Sequence, residues 1–121
     1  MEFESHKSIY LQIADNICNK ILKGELEHGK RAPSVRVLAV ELEVNRNTVM
    51  KTFAYLQNEN ILINKRGIGF FVADDATKKI LDNEKNTFFK KELPYLTERI
   101  QLLKLNSKDL QKLIISIKNN D

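Results

Sequence analysis

A chain of 121 residues, 42% hydrophobic and 30% charged, allows one domain, or one small domain with an appendage, around a modest core. No apolar run approaches the roughly 20 residues of a membrane span, the opening MEFESHKSIY has no apolar export core, and the single Cys18 excludes an internal disulfide and a cysteine-based zinc site, so a cytoplasmic chain is expected. The net charge of +4 is no argument for a nucleic-acid partner by itself, because residues 1–75 hold ten basic and ten acidic side chains and the excess falls in residues 76–121.

The first predicted helix starts after Ser8, a candidate N-cap, and carries Ile9, Ile13, Ile17 and Ile21 every fourth residue, with Leu22 completing the stripe. Gly24 follows the last periodic residue, where a left-handed conformation ends a helix cheaply. Cys18 lies beside the stripe and reads as a small buried hydrophobe, since no histidine or second cysteine is near it in sequence. Residues 24–34 form a loop with two glycines and a proline. Ser34 then caps a short helix, VRVLAVELE, with Val35, Leu38, Ala39 and Leu42 expected inside. Residues 43–45 are a tight connection to a third helix, from about Asn45 to Glu59, whose apolar face is Val49, Phe53 and Leu56 with Thr52 beside it. Two short helices so joined, the second with a polar start, make a helix-turn-helix. Asn60 suits the αL residue that stops the third helix. Ile61–Ile63 and Phe70–Val72 then read as the strands of a hairpin turned by residues 64–69. Three helices and a hairpin define a winged helix-turn-helix, residues 1–75, mainly α with a small β-hairpin.

Asp74-Asp75 marks the expected boundary of a helical tail, residues 76–121. Its apolar positions are Ile80, Leu81, Phe88 and Phe89, then Leu96, Ile100 and Leu103 after Pro94 at a helix start, then Leu110, Leu113, Ile114 and Ile117 beyond the Asn106-Ser107 break. So short a segment cannot bury both sides of these stripes on its own. It packs either on the winged domain or, the favoured reading, on a second copy of itself as a homodimer; a solvated helical extension is the alternative, weakened by the number of large apolar residues it would expose.

Residues 30–66 concentrate Lys30, Arg31, Arg36, Arg46, Lys51, Lys65 and Arg66 against three glutamates, a potential phosphate-facing patch. Arg46 is the most telling of them. A helix N-terminus carries partial positive charge, so an arginine between Asn45 and Asn47 opposes the dipole unless an external anion neutralises it. Its guanidinium fork fits the O6 and N7 of guanine. Asn45, Asn47 and Thr48 are short polar groups beside free backbone N–H groups and suit phosphate or adenine, although Asn45 and Thr48 serve equally well as capping residues. Lys51 should reach the DNA backbone. Lys65 and Arg66 supply charge in the hairpin turn, where Gly67 and Gly69 let the backbone approach a minor groove; an ordinary charged turn is the competing reading. Gly67-x-Gly69 is not a nucleotide fingerprint, because no helix follows it. An enzyme is disfavoured: His6 and His28 are isolated, no carboxylate pair suggests a pocket, and Cys18 lacks a base. No cofactor or metal is implied.

The blocks Tyr10-Leu11-Gln12-Ile13, Gly24 to Gly29, Pro33 to Ala39, Val44 to Val49 and Gly67 to Val72 occur in order over Ile9–Val72 and resemble the GntR family of bacterial transcription regulators. The short tail resembles that of the YtrA subfamily, in which it is a dimerisation element and the regulators often control transporter operons. The resemblance implies that Arg36, in the Pro-Ser-x-Arg block, reaches DNA from the start of the second helix, an ordinary solvated arginine being the alternative. It also implies that Arg46 reads a guanine. Ala32, Met50, Thr52-Phe53 and Asn60 depart from the family pattern, and Met50, where many members have another arginine, alters the base readout. The expectation is a sequence-specific regulator, a repressor, binding a pseudo-palindromic double-stranded operator as a homodimer, with no assigned small-molecule effector. A winged helix used only for protein–protein assembly is the alternative, kept open by the neutral balance of residues 1–75.

Overall fold

The computed structural model describes residues 7–121; the expectations for the opening segment and for His6 lie outside them. In chain order the elements are α1 (Ile9–Leu22), α2 (Val35–Leu42), α3 (Arg46–Asn58), β1 (Leu62–Lys65), β2 (Gly69–Val72), α4 (Ala76–Thr87), a π-helical turn (Phe88–Glu92), α5 (Leu93–Leu102) and α6 (Ser107–Asn119). The chain forms two compact units, the first ending at Glu84 and the second comprising Lys85–Asp121.

The core of the first unit is built from one face of each helix. Ile13, Ala14, Ile17, Cys18 and Ile21 come from α1, Leu38 and Ala39 from α2, and Val49, Thr52, Phe53 and Leu56 from α3. The hairpin closes it with Ile61, Leu62 and Val72, and the Phe53 and Phe70 rings meet edge to face at 4.9 Å. Ala76 and Ile80 of α4 are buried in the same core, so the start of the expected tail belongs to the winged unit. Three expected core residues are exposed. Ile9 is the first residue of α1, Leu42 the last of α2, and Ile63 alternates to the outer face of β1 because Leu62 points inward. Burial pushes the Cys18 thiol up to about 12, with the charges of Asp15 and Glu84 adding to it, so the thiol fills space and is not a nucleophile.

Helix ends follow one device. Gly24, at φ 79°, ends α1, with its N–H donating to Ile21 and the Glu25 N–H to Lys20. Asn60, at φ 60°, ends α3 the same way, its N–H on Gln57 and that of Ile61 on Leu56. The helix-turn-helix connection repeats the motif on a residue ill suited to it: Glu43 sits at φ 54°, with the Val44 N–H on Ala39 at 3.0 Å. The capping at Ser8 is positional only, since its hydroxyl takes no cap hydrogen bond.

Among the described residues, one polar side chain, that of Thr52, is fully buried. The Thr52 hydroxyl lies 2.8 Å from the Tyr10 carbonyl and 3.1 Å from the Thr48 carbonyl, which ties α3 to α1 across 42 residues of sequence.

In the hairpin, β1 and β2 pair antiparallel with Leu62 opposite Val72 and Lys65 opposite Gly69. The strands run further than the sequence suggests. The Ile68 N–H closes onto Lys65, so the turn is Arg66-Gly67-Ile68 and not the whole of residues 64–69. The free edge of β2 is also occupied. Gly29 and Ala32 donate to Val72 and Phe70, Val72 donates to Lys30, and Arg31 bridges Phe71, so the loop before α2 acts as a third strand.

Two stability outcomes follow. Thr52→Val, similar in size but without the hydroxyl, should lower unfolding stability by about 1–2 kcal/mol in denaturant titration. Glu43→Gly should raise it by about 0.5–1 kcal/mol, because glycine carries no penalty in the left-handed region.

Candidate nucleic-acid interface

The polar start of α3 is held in place by the buried face behind it. Asn45 is the N-cap: its Oδ1 accepts the Asn47 N–H at 2.8 Å, and its backbone carbonyl accepts from Thr48 and Val49. The cap reading of Asn45 therefore holds structurally, and the side-chain amide NH₂ takes no hydrogen-bond partner among the described residues. Thr48 does not complete a capping box; its hydroxyl has no hydrogen-bond partner among the described residues, and it is half-buried. Arg46 is the first helical residue, with no acidic residue in that turn. The contrast with α6 is direct: there Asn106 and Asp109 form a reciprocal capping box that places a carboxylate on the dipole.

Past the cap, the solvent face of α3 presents Arg46, Asn47, Met50, Lys51 and Ala54, all exposed. Two clefts flank this face. On one side a cleft of about 350 Å³ is lined by Ile9 and Tyr10 of α1 with Asn47, Thr48 and Lys51. The Lys51 ammonium rests 4.3 Å from the centroid of the Tyr10 ring, which steers its long side chain toward that cleft. On the other side an apolar recess of about 340 Å³ joins Met50 and Ala54 to Val35 and Phe70, so the exposed face of α3 runs between α1 and the α2–hairpin side of the domain. Met50 gives its part of the face an apolar contact surface that suits a thymine methyl better than a phosphate.

Arg36 lies in the first turn of α2, exposed, following a Ser34 hydroxyl that accepts the Val37 N–H at 3.1 Å. Lys65, Arg66 and Gly67 sit together at the turn end of the hairpin, away from the α3 cap in sequence and on a separate element; Gly67 has φ 81° and open space around it. Gly69 is different. A Cβ there would stand 2.8 Å from the Nε of Arg31, so the room the glycine leaves is taken by an arginine. Arg31 lies beside the wing, and the sequence shows its charge without showing its place. The missing signal was the pairing of residues 29–32 with β2, which no local pattern announces. Arg31, Arg36, Arg46 and Arg66 form no ion pair among the described residues. No group of three metal-ligating side chains comes together among those residues either.

Comparison with known proteins places this arrangement. The model of the gntR family of bacterial regulatory proteins matches residues 9–72. The chain is 34% identical over 109 residues to the HTH-type transcriptional regulator YhcF of Bacillus subtilis, covering 90% of this chain and 88% of that one. It is 35% identical over 92 residues to the HTH-type transcriptional repressor YtrA of the same organism, covering 76% and 70%. Among solved structures, a GntR-family regulator from Bacteroides thetaiotaomicron is 42% identical and superposes with a TM-score of 0.76 over 94% of this chain and all of that one. These relatives are regulators, which sets aside a module serving protein–protein assembly alone. An uncompensated arginine opening the second helix of a helix-turn-helix, a glycine-turned wing and this kinship agree: the chain belongs to the GntR family of bacterial regulatory proteins and is a DNA-binding transcriptional regulator, not an enzyme.

Proposed function

We propose that the chain is a cytoplasmic, homodimeric repressor that reads a pseudo-palindromic operator with α3, Arg46 being the base-reading residue. The observation that carries this reading is the charge of the α3 N-terminus: an arginine at the first helical position, no acid in the first turn and no ion-pair partner among the described residues. An electronegative base edge in the major groove supplies what the free protein lacks. Asn45 and Asn47 flank the reader, Thr48 and Lys51 line the cleft beside α1, Arg36 approaches from α2, and Lys65, Arg66, Gly67 and Gly69 form the wing that meets the neighbouring groove. The repressor reading, and a transporter operon as its target, follow relatives: YtrA is named a repressor, and a mannosyl-D-glycerate transport and metabolism repressor of Escherichia coli is 37% identical over 70 residues.

Dimerisation is assigned to the helices of the second unit. No residue of the π-helical turn, α5 or α6 is buried in the single chain, yet Leu102, Ile114, Ile115 and Ile117 are each about half exposed or more. Each such side chain fully covered by a partner contributes about 1.5–3 kcal/mol, so a handful suffices for a stable dimer. Two copies of α3 then address successive major grooves, with half-sites about one helical turn apart.

Arg46→Ala should reduce discrimination between the operator, selected from a random DNA pool, and a scrambled duplex by roughly 10–100-fold in equilibrium binding; retained discrimination would sink the assignment. The double variant Ile114→Glu, Ile117→Glu should sediment as a monomer with its winged unit folded, and should bind the operator more weakly than the parent; an unchanged dimer would remove α6 from the interface.

A further inference from the structure

We propose that Arg31 is a further DNA-binding residue, a guanidinium laid across Gly69 on the outer face of the wing that takes a phosphate of the duplex backbone. The inference rests on DNA binding through the wing and adds a contact that the hairpin alone does not contain.

Arg31 reaches the wing through the third strand. It bridges Phe71, while Ala32 next to it donates to the Phe70 carbonyl at 2.8 Å and Lys30 before it accepts from Val72 at 2.9 Å. Side chains alternate across a sheet, so this pairing sorts the residues into two faces. Ala32, Leu62 and Val72 are buried on the inner face. Arg31, Phe71, Gly69, Ile63 and Lys65 share the outer one, since Ile63 stands opposite Phe71 and Lys65 opposite Gly69.

On that face both cations lie against a neighbouring residue. The Arg31 guanidinium lies across Gly69, where a Cβ would come within 2.8 Å of Nε and 3.1 Å of Nη2. The Lys65 ammonium rests 4.3 Å from the centroid of the Phe71 ring. Gly69 thus acts as a seat for an arginine, and only a residue without a side chain leaves that seat open. Arg31 is exposed and forms no ion pair among the described residues, so its fork of donors is placed but unsatisfied by protein. A planar guanidinium positioned in advance loses little freedom on meeting a phosphate, which it can hold through two parallel hydrogen bonds.

The position also selects phosphate over base. Arg66 and Gly67 make the tip of the wing, the part narrow enough to enter a groove. Arg31 stands one strand pair behind that tip, over Gly69, where a wing inserted into the groove has the sugar-phosphate rim beside it. Lys65 on the same face continues the positive strip.

The test uses the full chain and two 30-base-pair duplexes, one carrying the operator selected from a random pool and one scrambled, titrated against salt. Arg31→Gln should weaken binding to both duplexes by a similar factor, roughly three- to tenfold, and flatten the slope of log affinity on log salt by about 0.9. Arg31→Lys, which keeps the charge, should retain the parental slope. Gly69→Ala should also weaken binding, and less so in the Arg31→Gln background, because the backbone strain at φ 142° is common to both arms of the cycle whereas displacement of Arg31 is not. Unchanged affinity and slope for Arg31→Gln, with unchanged melting, would overturn the proposal. So would a loss confined to the operator, which would make Arg31 a base reader. Failure of the underlying reading looks different: the parental chain itself would bind without a steep salt dependence.

Discussion

The recognition surface depends on what lies behind it, the burial of one face of α3. Val49, Thr52, Phe53 and Leu56 are all nearly inaccessible, packed against α1, α2 and the hairpin. That packing fixes the rotation of the helix about its axis, and the rotation decides which side chains face outward. The Thr52 hydroxyl adds direction to what is otherwise an apolar contact: its reach to the Tyr10 carbonyl sets the register of α3 against the first turn of α1. The same turn carries the ring on which Lys51 rests. A helix held only by hydrophobic area could rotate by some degrees at small cost. One held by a buried hydrogen bond loses that bond when it rotates, so the polar face stays where the groove requires it.

The wing obeys a related constraint. An isolated two-stranded hairpin is marginal in water. Here β1 is anchored by Leu62 in the core, and β2 gains hydrogen bonds on its other edge from residues 29–32. The loop leading into α2 and the hairpin following α3 are therefore parts of one small sheet. Ala32, a smaller residue than the family pattern has there, is buried at this joint.

Much of this was legible in the sequence, for definite reasons. Helices α1 and α3 announce themselves because Ile13, Ile17, Ile21, Val49, Phe53 and Leu56 repeat at the helical period, and the period survives folding. Gly24 and Asn60 were readable as stops, since few residues tolerate the left-handed region. Glu43 was not, because only the geometry of the helix-turn-helix forces a glutamate into it. The third strand was invisible for a different reason: residues 29–32 lack alternating hydrophobicity, and their pairing is dictated by where the glycine-rich loop must pass on its way to α2. Gly69 is legible as a special position, but the arginine laid across it is not. The start of α4 was assigned to the tail because Asp74-Asp75 looks like a boundary, yet Ala76 and Ile80 complete the core. Composition marks where a chain is solvated, which need not be where a domain ends.

Two of the capped helix starts, α3 and α6, divide labour in a way that bears on evolution of the chain. At α6 the Asn106–Asp109 box satisfies backbone donors and opposes the dipole with an acid, the arrangement expected where a helix has only to be stable. At α3 the protein keeps the asparagine cap and omits the acid. The free fold is thereby left slightly less stable than its sequence could make it, and in the proposed reading of Arg46 the deficit is returned when DNA binds. Stability and affinity are therefore linked through one charge. If Arg46 reads DNA as proposed, selection for a sturdier free protein would favour an acidic first turn on α3 and erode recognition in the same step, whereas the cap of α6 carries no such conflict.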